Sequence, residues 1–207
     1  MAKFPEPPSS KRLVRTLPEI RILPAGTRLW RIYFRGGRHP TYWDSFRSFG
    51  PTGSRFDHHM RPPRPQSRGI LYGALAGPTC LAEVFQQTRV IDRTTSDPWL
   101  VGFDFRISLD LLDLTGTWPT RAGASMAIAT GPRPRAQRWS RAIYDAYPHL
   151  QGLCYASSMH GNQPSVSLYE RARGSLPERP VFHRPLRDPA LLGMLRRTAK
   201  SLGYGLV

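Results

Sequence analysis

The sequence is poor in cysteine and has no long apolar run. Cys80 and Cys154 are its two cysteines, and they lack the paired spacing of a zinc site or a disulfide framework, so we expect both to be reduced. No stretch approaches the roughly 18 apolar residues that a membrane span needs, and the first residues lack the apolar segment of a signal peptide. These absences predict a soluble, cytoplasmic protein without membrane contact.

The signatures of several common site types are also missing. Two glycine-containing stretches, at 36–37 and 50–53, are typical of turns, and no glycine-rich loop precedes a Lys-Ser/Thr helix. The histidine pair His58-His59 would point to opposite sides of a strand and has no partner at ligand spacing. Ser157 lacks the flanking glycines of a nucleophile elbow. We therefore expect no Rossmann fold, no metal site and no serine hydrolase.

Lysine is scarce, although the chain is strongly basic. Lys3, Lys11 and Lys200 are the only lysines, so arginine supplies most of a formal net charge of +16. Such a charge is typical of nucleic-acid-binding proteins, because basic side chains displace counterions from phosphates. The arginines are spread along the chain, which favours an acidic protein or a phosphorylated small ligand as partner. A non-enzymatic nucleic-acid-binding module stays open as an alternative.

The length of 207 residues fits one domain with a substantial core. Its 21 prolines and 18 glycines predict many short elements joined by turns. Residues 1–18 are rich in Pro, Ser and charge and are expected to form a tail, with the domain spanning 19–207. Short strand and helix signals along the domain predict an α+β fold, with a small mixed or antiparallel sheet and short flanking helices.

The best strand signal lies at 28–34. Its alternation places Trp30, Ile32 and Phe34 on one face and Arg31 and Tyr33 on the other, so Arg31 is expected to leave the core face. Further strands are predicted at 69–74, within 99–113, at 152–157 and at 166–169.

Helices and one long loop complete the prediction. Thr79 is expected to cap a helix that carries Glu83. The segment from 35 to 68 is dense in Gly, Pro, Arg and His and predicts a long irregular loop, which is usually functional or disordered. Further helices are predicted at 122–129, 136–147 and 189–201.

Five short motifs follow one another along the chain. They are Gly26-x-x-x-x-Arg31, Gly53-x-Arg55-Phe56-Asp57, Leu71-Tyr72-x-Ala74, Leu81-Ala82-Glu83 and Gly152-x-x-Tyr155-x-Ser157. No single motif is specific, and Glu83 alone is more typical of a solvent-facing residue. Together they resemble the RES-domain family over residues 26–182. That family is named after an Arg, a Glu and a Ser, which Arg31, Glu83 and Ser157 match, so the resemblance makes these three the catalytic candidates.

The resemblance implies an ADP-ribosyltransferase-like fold and a toxin that an Xre-like antitoxin neutralises. Members of the family degrade NAD⁺, one of them by phosphorolysis, and another ADP-ribosylates a nucleotide-synthesis enzyme. We therefore expect an enzyme that takes NAD⁺ as its substrate, needs no metal and cleaves the nicotinamide–ribose bond by hydrolysis or phosphorolysis. ADP-ribosylation of a cellular protein is the enzymatic alternative. Two departures from the family are Phe56 in place of a tryptophan and an inserted segment at 60–66.

The matching residue types suit this chemistry. Cleavage leaves positive charge on the ribose, which the carboxylate of Glu83 would stabilise in the transition state. A guanidinium binds phosphate oxygens through two parallel hydrogen bonds, so Arg31 and Arg55 are expected at the pyrophosphate. Tyr72 offers a ring for stacking and a hydroxyl for the ribose.

Three further residues complete the predicted site. Ser157 is expected to hydrogen-bond the ribose or the carboxamide, and the neighbouring Ser158 is an alternative for the family serine. Tyr33 is an additional binding candidate. Gly26 is expected in a turn that aims the strand bearing Arg31. Purely structural roles also stay open, as a core residue for Tyr72 and as a turn residue for Ser157.

Overall fold

A nine-stranded mixed sheet forms the centre of the protein in a computed structural model, which describes residues 3–207. The strands are β1 (Ile20–Leu23), β2 (Arg28–Phe34), β3 (Arg47–Gly50), β4 (Arg64–Ala74), β5 (Val90–Ile91), β6 (Pro98–Asp104), β7 (Leu109–Asp113), β8 (Gly152–Ala156), β9 (Pro164–Tyr169), β10 (Phe182–Pro185) and β11 (Gly205–Leu206). The sheet order is β1-β7-β8-β9-β4-β2-β6-β10, with β3 on β4, while β5 and β11 form a separate pair. Within the main sheet β7 and β8 run parallel and the other pairs run antiparallel.

Short helices flank this sheet. They are α1 (Ser10–Leu13), α2 (Gly77–Val84), α3 (Trp118–Arg121), α4 (Ala127–Thr130), α5 (Arg133–Ala146) and α6 (Leu192–Leu202), with 3₁₀ turns at Glu170–Ser175 and Pro189–Leu191. The architecture confirms the predicted α+β fold, although the sheet is larger than expected. Among the described residues, no helix is long and apolar enough to cross a membrane.

The prediction that Arg31 leaves the core face is wrong. Arg31 is 9% exposed and Tyr33 3% exposed, and Ile32 on the opposite face is 7% exposed. The reason is that β2 lies between β4 and β6, where side chains cover the sheet on both sides. Leu29 and Tyr33 pack into one apolar cluster and Ile32 into another. Alternation along one strand cannot distinguish a solvent face from a second buried face.

The segment from 35 to 68 is more regular than predicted. β3 lies within it, and β4 begins at Arg64 and pairs with β3 as an antiparallel hairpin. The inserted residues 60–66 form the end of this hairpin, where the Gln66 amide donates to the backbone oxygens of Gly50 and Met60. The strand signal was hidden because this end of β4 is exposed and its residues are polar.

Helix α2 begins earlier than predicted, and Thr79 is not its cap. The helix starts at Gly77 with Pro78 in its first turn, a position where the missing N–H of proline costs nothing. Thr79 is fully buried, and its hydroxyl makes a 2.9 Å hydrogen bond with His160 Nδ1. Leu81 of α2 packs in one cluster with Leu195 of α6. The C-terminal helix therefore supports the helix that carries Glu83.

The described part of the N-terminal segment packs against α5. Phe4 and Leu13 are buried, and the Trp139 indole donates to the backbone oxygen of Pro5 over 2.9 Å. The Tyr147 hydroxyl lies within hydrogen-bond distance of the Leu13 backbone oxygen. These contacts fasten residues 4–13 to the core, and a domain boundary at residue 19 stays a prediction.

Glu170, which follows β9, links β4 with α5. Its carboxylate accepts hydrogen bonds from the Gly69 backbone N–H at 2.8 Å and from the Tyr144 hydroxyl. Burial alone would raise the pKa of Glu170, but His58, Tyr144 and Gly69 lower this pKa to about 2.

We expect Glu170 to make stability depend on acidity. Because its folded pKa is depressed, its contribution is present above the usual value of 4.5 and is lost as the pH falls toward about 2. The free energy of unfolding of wild type, measured by urea titration, should therefore fall more steeply over this window than that of Glu170→Gln. Parallel pH curves for the two proteins would contradict this linkage.

Candidate active site

Strands β2 and β4 are neighbours in the sheet but meet at one point. Their register holds a single pair, Trp30 with Ala74, whereas β2 pairs with β6 from Arg28 to Phe34. At this joint a Cβ on Gly73 would lie 2.8 Å from the Trp30 backbone oxygen. The strands approach so closely because residue 73 is glycine.

A cavity of about 480 Å³ opens beside this joint, with Ile32 of β2 and Tyr72 of β4 in its wall. The wall also includes the loop between β3 and β4, helix α2 and the two residues Gln86 and Gln87, Ala129 of α4, the start of α5, and the end of β8 with Ser158. This size is typical of small-molecule sites. The charged and hydroxyl-bearing aromatic or serine side chains that line the cavity include Ser54, Arg55, Tyr72, Glu83, Arg133, Tyr155 and Ser158.

Glu83 lies in the last turn of α2, half-buried in the cavity wall. The Ser157 hydroxyl donates to Glu83 Oε1 over 2.5 Å. Ser157 Oγ also accepts the backbone N–H groups of Met159 at 3.2 Å and His160 at 3.1 Å. These two donors occupy the oxygen of the serine, so its single proton is directed at the carboxylate. Ser157 therefore fixes the orientation of Glu83.

The two adjacent serines have different surroundings. Ser157 is fully buried at the end of β8 and contacts Glu83, while Ser158 is exposed and lines the cavity. Of the two, Ser157 is joined to the glutamate of the motif set but does not line the cavity, and Ser158 is the one that faces the cavity.

Two tyrosines form an aromatic part of the wall. Tyr72 is half-buried, and within residues 3–207 its buried hydroxyl has no hydrogen-bond partner. Tyr155 is buried, and its ring lies 4.7 Å from that of Phe56. Burial and then the nearby charge of Glu83 raise the pKa of Tyr155 well above its usual value. Tyr155 was not among the predicted site residues, although it stands in the last of the five motifs, two residues before Ser157.

The loop that carries Arg55 is anchored by Asp57. This fully buried carboxylate accepts from the backbone N–H and hydroxyl of Thr52, at 2.6 and 2.9 Å, and from Arg47 at 2.9 Å. It also lies 2.5 Å from His59 Nδ1. Burial opposes ionisation, but the hydrogen bonds from His59 and Thr52 hold the pKa of Asp57 well below its usual range.

Arg55 projects from this loop into the cavity wall. Its guanidinium donates to the backbone oxygen of Gly131, in the connection between α4 and α5. Burial and then the charge of Arg133 lower the pKa of Arg55. The side chain is thus held in place by a neutral acceptor, with its charge uncompensated by a direct ion pair within the described chain.

The structure does not place Arg31 or Tyr33 in the cavity wall. Arg31 Nη1 donates to the backbone oxygens of Trp43 at 3.1 Å and Ser45 at 3.0 Å, and burial lowers its pKa to about 10. The Tyr33 hydroxyl lies 2.5 Å from His183 Nε2. Both residues therefore support the segment and strands beside the cavity.

Gly26 lies in the turn before β2. Its φ of +83° is in the left-handed region that favours glycine. Its N–H donates to the backbone oxygen of Phe105 over 2.8 Å. The turn thereby directs β2 back along β6.

Arg133 and Gln86 are wall residues that the sequence reasoning missed. Arg133 Nη2 donates to Gln86 Oε1 over 3.1 Å, and Gln86 Nε2 donates to the Glu83 backbone oxygen over 2.7 Å. Gln86 thus connects the end of α2 with the start of α5. Arg133 stands in the stretch Gly131-Pro132-Arg133-Pro134, whose glycine and prolines are typical of a break between helices, so no local signal marked it.

The histidine pair has structural partners. His59 bonds Asp57, while the buried ring of His58 stacks on Tyr144 at 4.4 Å and meets Tyr169 edge-on at 4.7 Å. Between residues 3 and 207, no three His, Cys, Asp or Glu side chains gather as metal ligands would.

Together, the mixed sheet, whose strands β2 and β4 share one register pair, and the glutamate held by Ser157 define an α+β domain with a carboxylate in the wall of a cavity. The family model of the RES domain matches residues 28–187. The chain therefore belongs to the RES-domain family.

One solved structure extends this likeness to the fold. The chain resembles a chain from the crystal structure of the M. tuberculosis MbcT–MbcA toxin–antitoxin complex, with a TM-score of 0.58 and 17% sequence identity. The superposition covers 91% of this chain and 96% of that one. Among curated proteins, no sequence matches. At this identity the likeness concerns the fold.

Proposed function

We propose that this protein is a toxin that breaks the nicotinamide–ribose bond of NAD⁺ by hydrolysis or phosphorolysis. The observation that carries the proposal is the Glu83 carboxylate, which Ser157 holds over 2.5 Å in the wall of a cavity of about 480 Å³. The RES domain and the likeness to a chain of a toxin–antitoxin complex support the toxin role.

In this proposal Glu83 lies beside the ribose that carries nicotinamide. When the C–N bond breaks, its electron pair leaves with nicotinamide, which becomes neutral, and positive charge develops on the ribose. A fixed carboxylate stabilises that charge more in the transition state than in the ground state. The half-buried position strengthens the effect, because less water screens the interaction. Water, which releases one proton to the solvent, or phosphate then bonds to the ribose carbon.

Arg55, Tyr72 and Tyr155 supply binding groups for the substrate. The guanidinium of Arg55 suits phosphate oxygens, and the two tyrosine rings suit the flat nicotinamide or adenine. The ring of Tyr72 lines the cavity, whereas its hydroxyl is buried, so a contact between this hydroxyl and the ribose requires the side chain to move. Arg31 is assigned an indirect role, because it holds the backbone at Trp43 and Ser45.

The first test is to incubate the purified protein with NAD⁺, with and without phosphate, and to identify the sugar product by mass spectrometry. ADP-ribose indicates hydrolysis, and ADP-ribose-1″-phosphate indicates phosphorolysis. Radiolabel retained on a protein after incubation with labelled NAD⁺ would favour ADP-ribosyl transfer instead. NAD⁺ that stays intact under all conditions would contradict the proposal.

Ser157→Ala is expected to lower kcat for NAD⁺ loss by about tenfold or more. The reason is that a hydrogen bond to a charged group contributes about 1.5–3 kcal/mol, and about 1.4 kcal/mol corresponds to tenfold in rate. Ser201→Ala, at an exposed position of α6, is the control and should leave kcat unchanged. Ser158→Ala compares the two serines and should lower kcat less than Ser157→Ala, because Ser158 does not contact Glu83. A larger loss in Ser158→Ala than in Ser157→Ala would reverse the assignment of the two serines.

A partner protein is part of the proposal. The structural neighbour comes from a toxin–antitoxin complex, and we propose an Xre-like antitoxin of acidic character for this chain. Its net charge of +16 would speed association with such a partner. Because the proposed substrate NAD⁺ is present in the cytoplasm, we propose that the protein acts there. Co-purification with the protein encoded beside it, and loss of NAD⁺ turnover in the complex, would test the partnership.

A further inference from the structure

Two guanidinium groups share the cavity wall without a carboxylate bound to either. Arg55 and Arg133 both line the cavity. Within residues 3–207 neither side chain has a carboxylate oxygen within 4 Å. Some other arginines of the described chain are paired, for example Arg28 with Asp104 at 2.7 Å. Like charges in a partly buried wall destabilise each other, and after burial the charge of Arg133 is the main cause that lowers the pKa of Arg55.

Both side chains are held in place by neutral acceptors. Arg55 donates to the Gly131 backbone oxygen, and Arg133 donates to Gln86 Oε1. These contacts fix the two guanidinium groups without a direct ion pair, and further N–H donors remain for a ligand. The Glu83 carboxylate of the same wall acts on Arg55 only at longer range. Prior ordering of this kind reduces the entropy that a bound anion would otherwise cost.

The backbone adds to the positive potential at the same place. Arg133 is the first residue of α5, a helix of 14 residues. The aligned peptide dipoles of a helix give its N-terminal end a partial positive charge. The start of α5 therefore reinforces the two guanidinium groups.

We infer that Arg133 together with Arg55 binds the diphosphate of a dinucleotide, in a subsite formed by the β3–β4 loop and the start of α5. This inference rests on the proposed function for the nature of the ligand. In this inference the second phosphate-binding arginine is Arg133 instead of Arg31. The guanidinium of Arg31 donates to two backbone oxygens outside the cavity wall. Gln86 is the positioning residue of the subsite, because it holds Arg133 and contacts the Glu83 backbone.

The test measures ADP and adenosine binding by titration calorimetry. ADP is a stable probe that carries the diphosphate, and adenosine lacks it. Arg133→Met should weaken ADP binding about tenfold or more and adenosine binding less than twofold, since two parallel hydrogen bonds to phosphate are lost. Arg55→Met should act in the same way. Arg197→Met is the control, because Arg197 is exposed on α6 and does not line the cavity. It also removes one positive charge and should change both affinities less than twofold.

Three results with the variants would overturn the inference. They are ADP affinity within twofold of wild type in Arg133→Met, an equal loss for adenosine, or an equal loss in Arg197→Met. Wild type that fails to bind ADP would overturn it as well. If Arg133→Met does not fold, Arg133→Lys decides, because a lysine keeps the charge but not the planar fork. The lysine variant should lose about threefold or more on ADP and nothing on adenosine.

The inference and the proposed function fail separately. If Arg133→Met weakens ADP binding but the wild-type protein leaves NAD⁺ intact, the proposed cleavage activity is refuted and the diphosphate subsite is supported. Glu83-dependent loss of NAD⁺, with ADP affinity unchanged in Arg133→Met, would keep the activity and remove the subsite.

Discussion

Replacing Glu83 by glutamine is expected to lower the rate of NAD⁺ loss by about 10²- to 10³-fold. The amide has nearly the same shape but no charge, so it removes the interaction that strengthens as positive charge develops on the ribose. The expected size follows the effect of removing one preorganised electrostatic group from an active site. Single-turnover kinetics with excess enzyme measure this loss without interference from product release.

Binding and charge controls make this prediction specific to the chemical step. ADP affinity in Glu83→Gln should stay within about threefold of wild type, because the carboxylate does not bind the diphosphate. Glu178→Gln removes one exposed carboxylate and should leave the rate unchanged. A Glu83→Gln enzyme that keeps a third of the wild-type rate would refute the role of Glu83.

Asp57→Ala is expected to lower the free energy of unfolding by about 3–5 kcal/mol. Removing one member of a buried charge pair has an effect of this size, because the remaining partners stay buried without compensation. Here the partners are Arg47, His59 and the backbone N–H of Thr52, and Asp57 itself is fully buried. Equilibrium urea unfolding, followed by tryptophan fluorescence, measures the change.

The control for Asp57 is an ion pair at the surface. Asp145 pairs with Arg68 at 2.8 Å but is 42% exposed, so Asp145→Ala should change the free energy of unfolding by less than about 1 kcal/mol. Because Asp57 anchors the loop that carries Arg55, we also expect weaker ADP binding in Asp57→Ala. A loss of stability below about 1 kcal/mol in Asp57→Ala would contradict the importance of this buried network.

Local patterns predicted the central elements of the fold well. Alternation predicted β2, and the β-branched and aromatic residues indicated parts of β4, β8 and β9. The patterns failed where neighbouring strands decide burial, as at Arg31. They also failed for β1 and β10, whose edge positions leave much of their surface exposed. The helix predicted over 122–129 is replaced by α3 and α4, and Gly123 between them adopts φ +87°.

The sequence predicted only part of the candidate site, because local patterns do not show which distant residues come together. Glu83 and Ser157 stand in separate motifs, 74 positions apart, and the structure joins them by one hydrogen bond. Tyr155 stands in the same motif as Ser157, which could have indicated it. Arg133 had no such signal, because its place beside Arg55 depends on how the chain folds between residues far apart in sequence. Periodicity describes one element at a time and cannot supply this contact.

The single register pair between β2 and β4 links ligand binding to the cohesion of the domain. The sheet consists of two groups of strands, β2-β6-β10 and the remaining strands, which are joined by the single register pair of Trp30 with Ala74. A molecule in the cavity would contact Ile32 of β2 and Tyr72 of β4. It would therefore connect the two groups of strands at a place where no backbone hydrogen bonds join them. The substrate would thereby act as a temporary structural part of the protein, and its binding energy would add to the stability of the folded state.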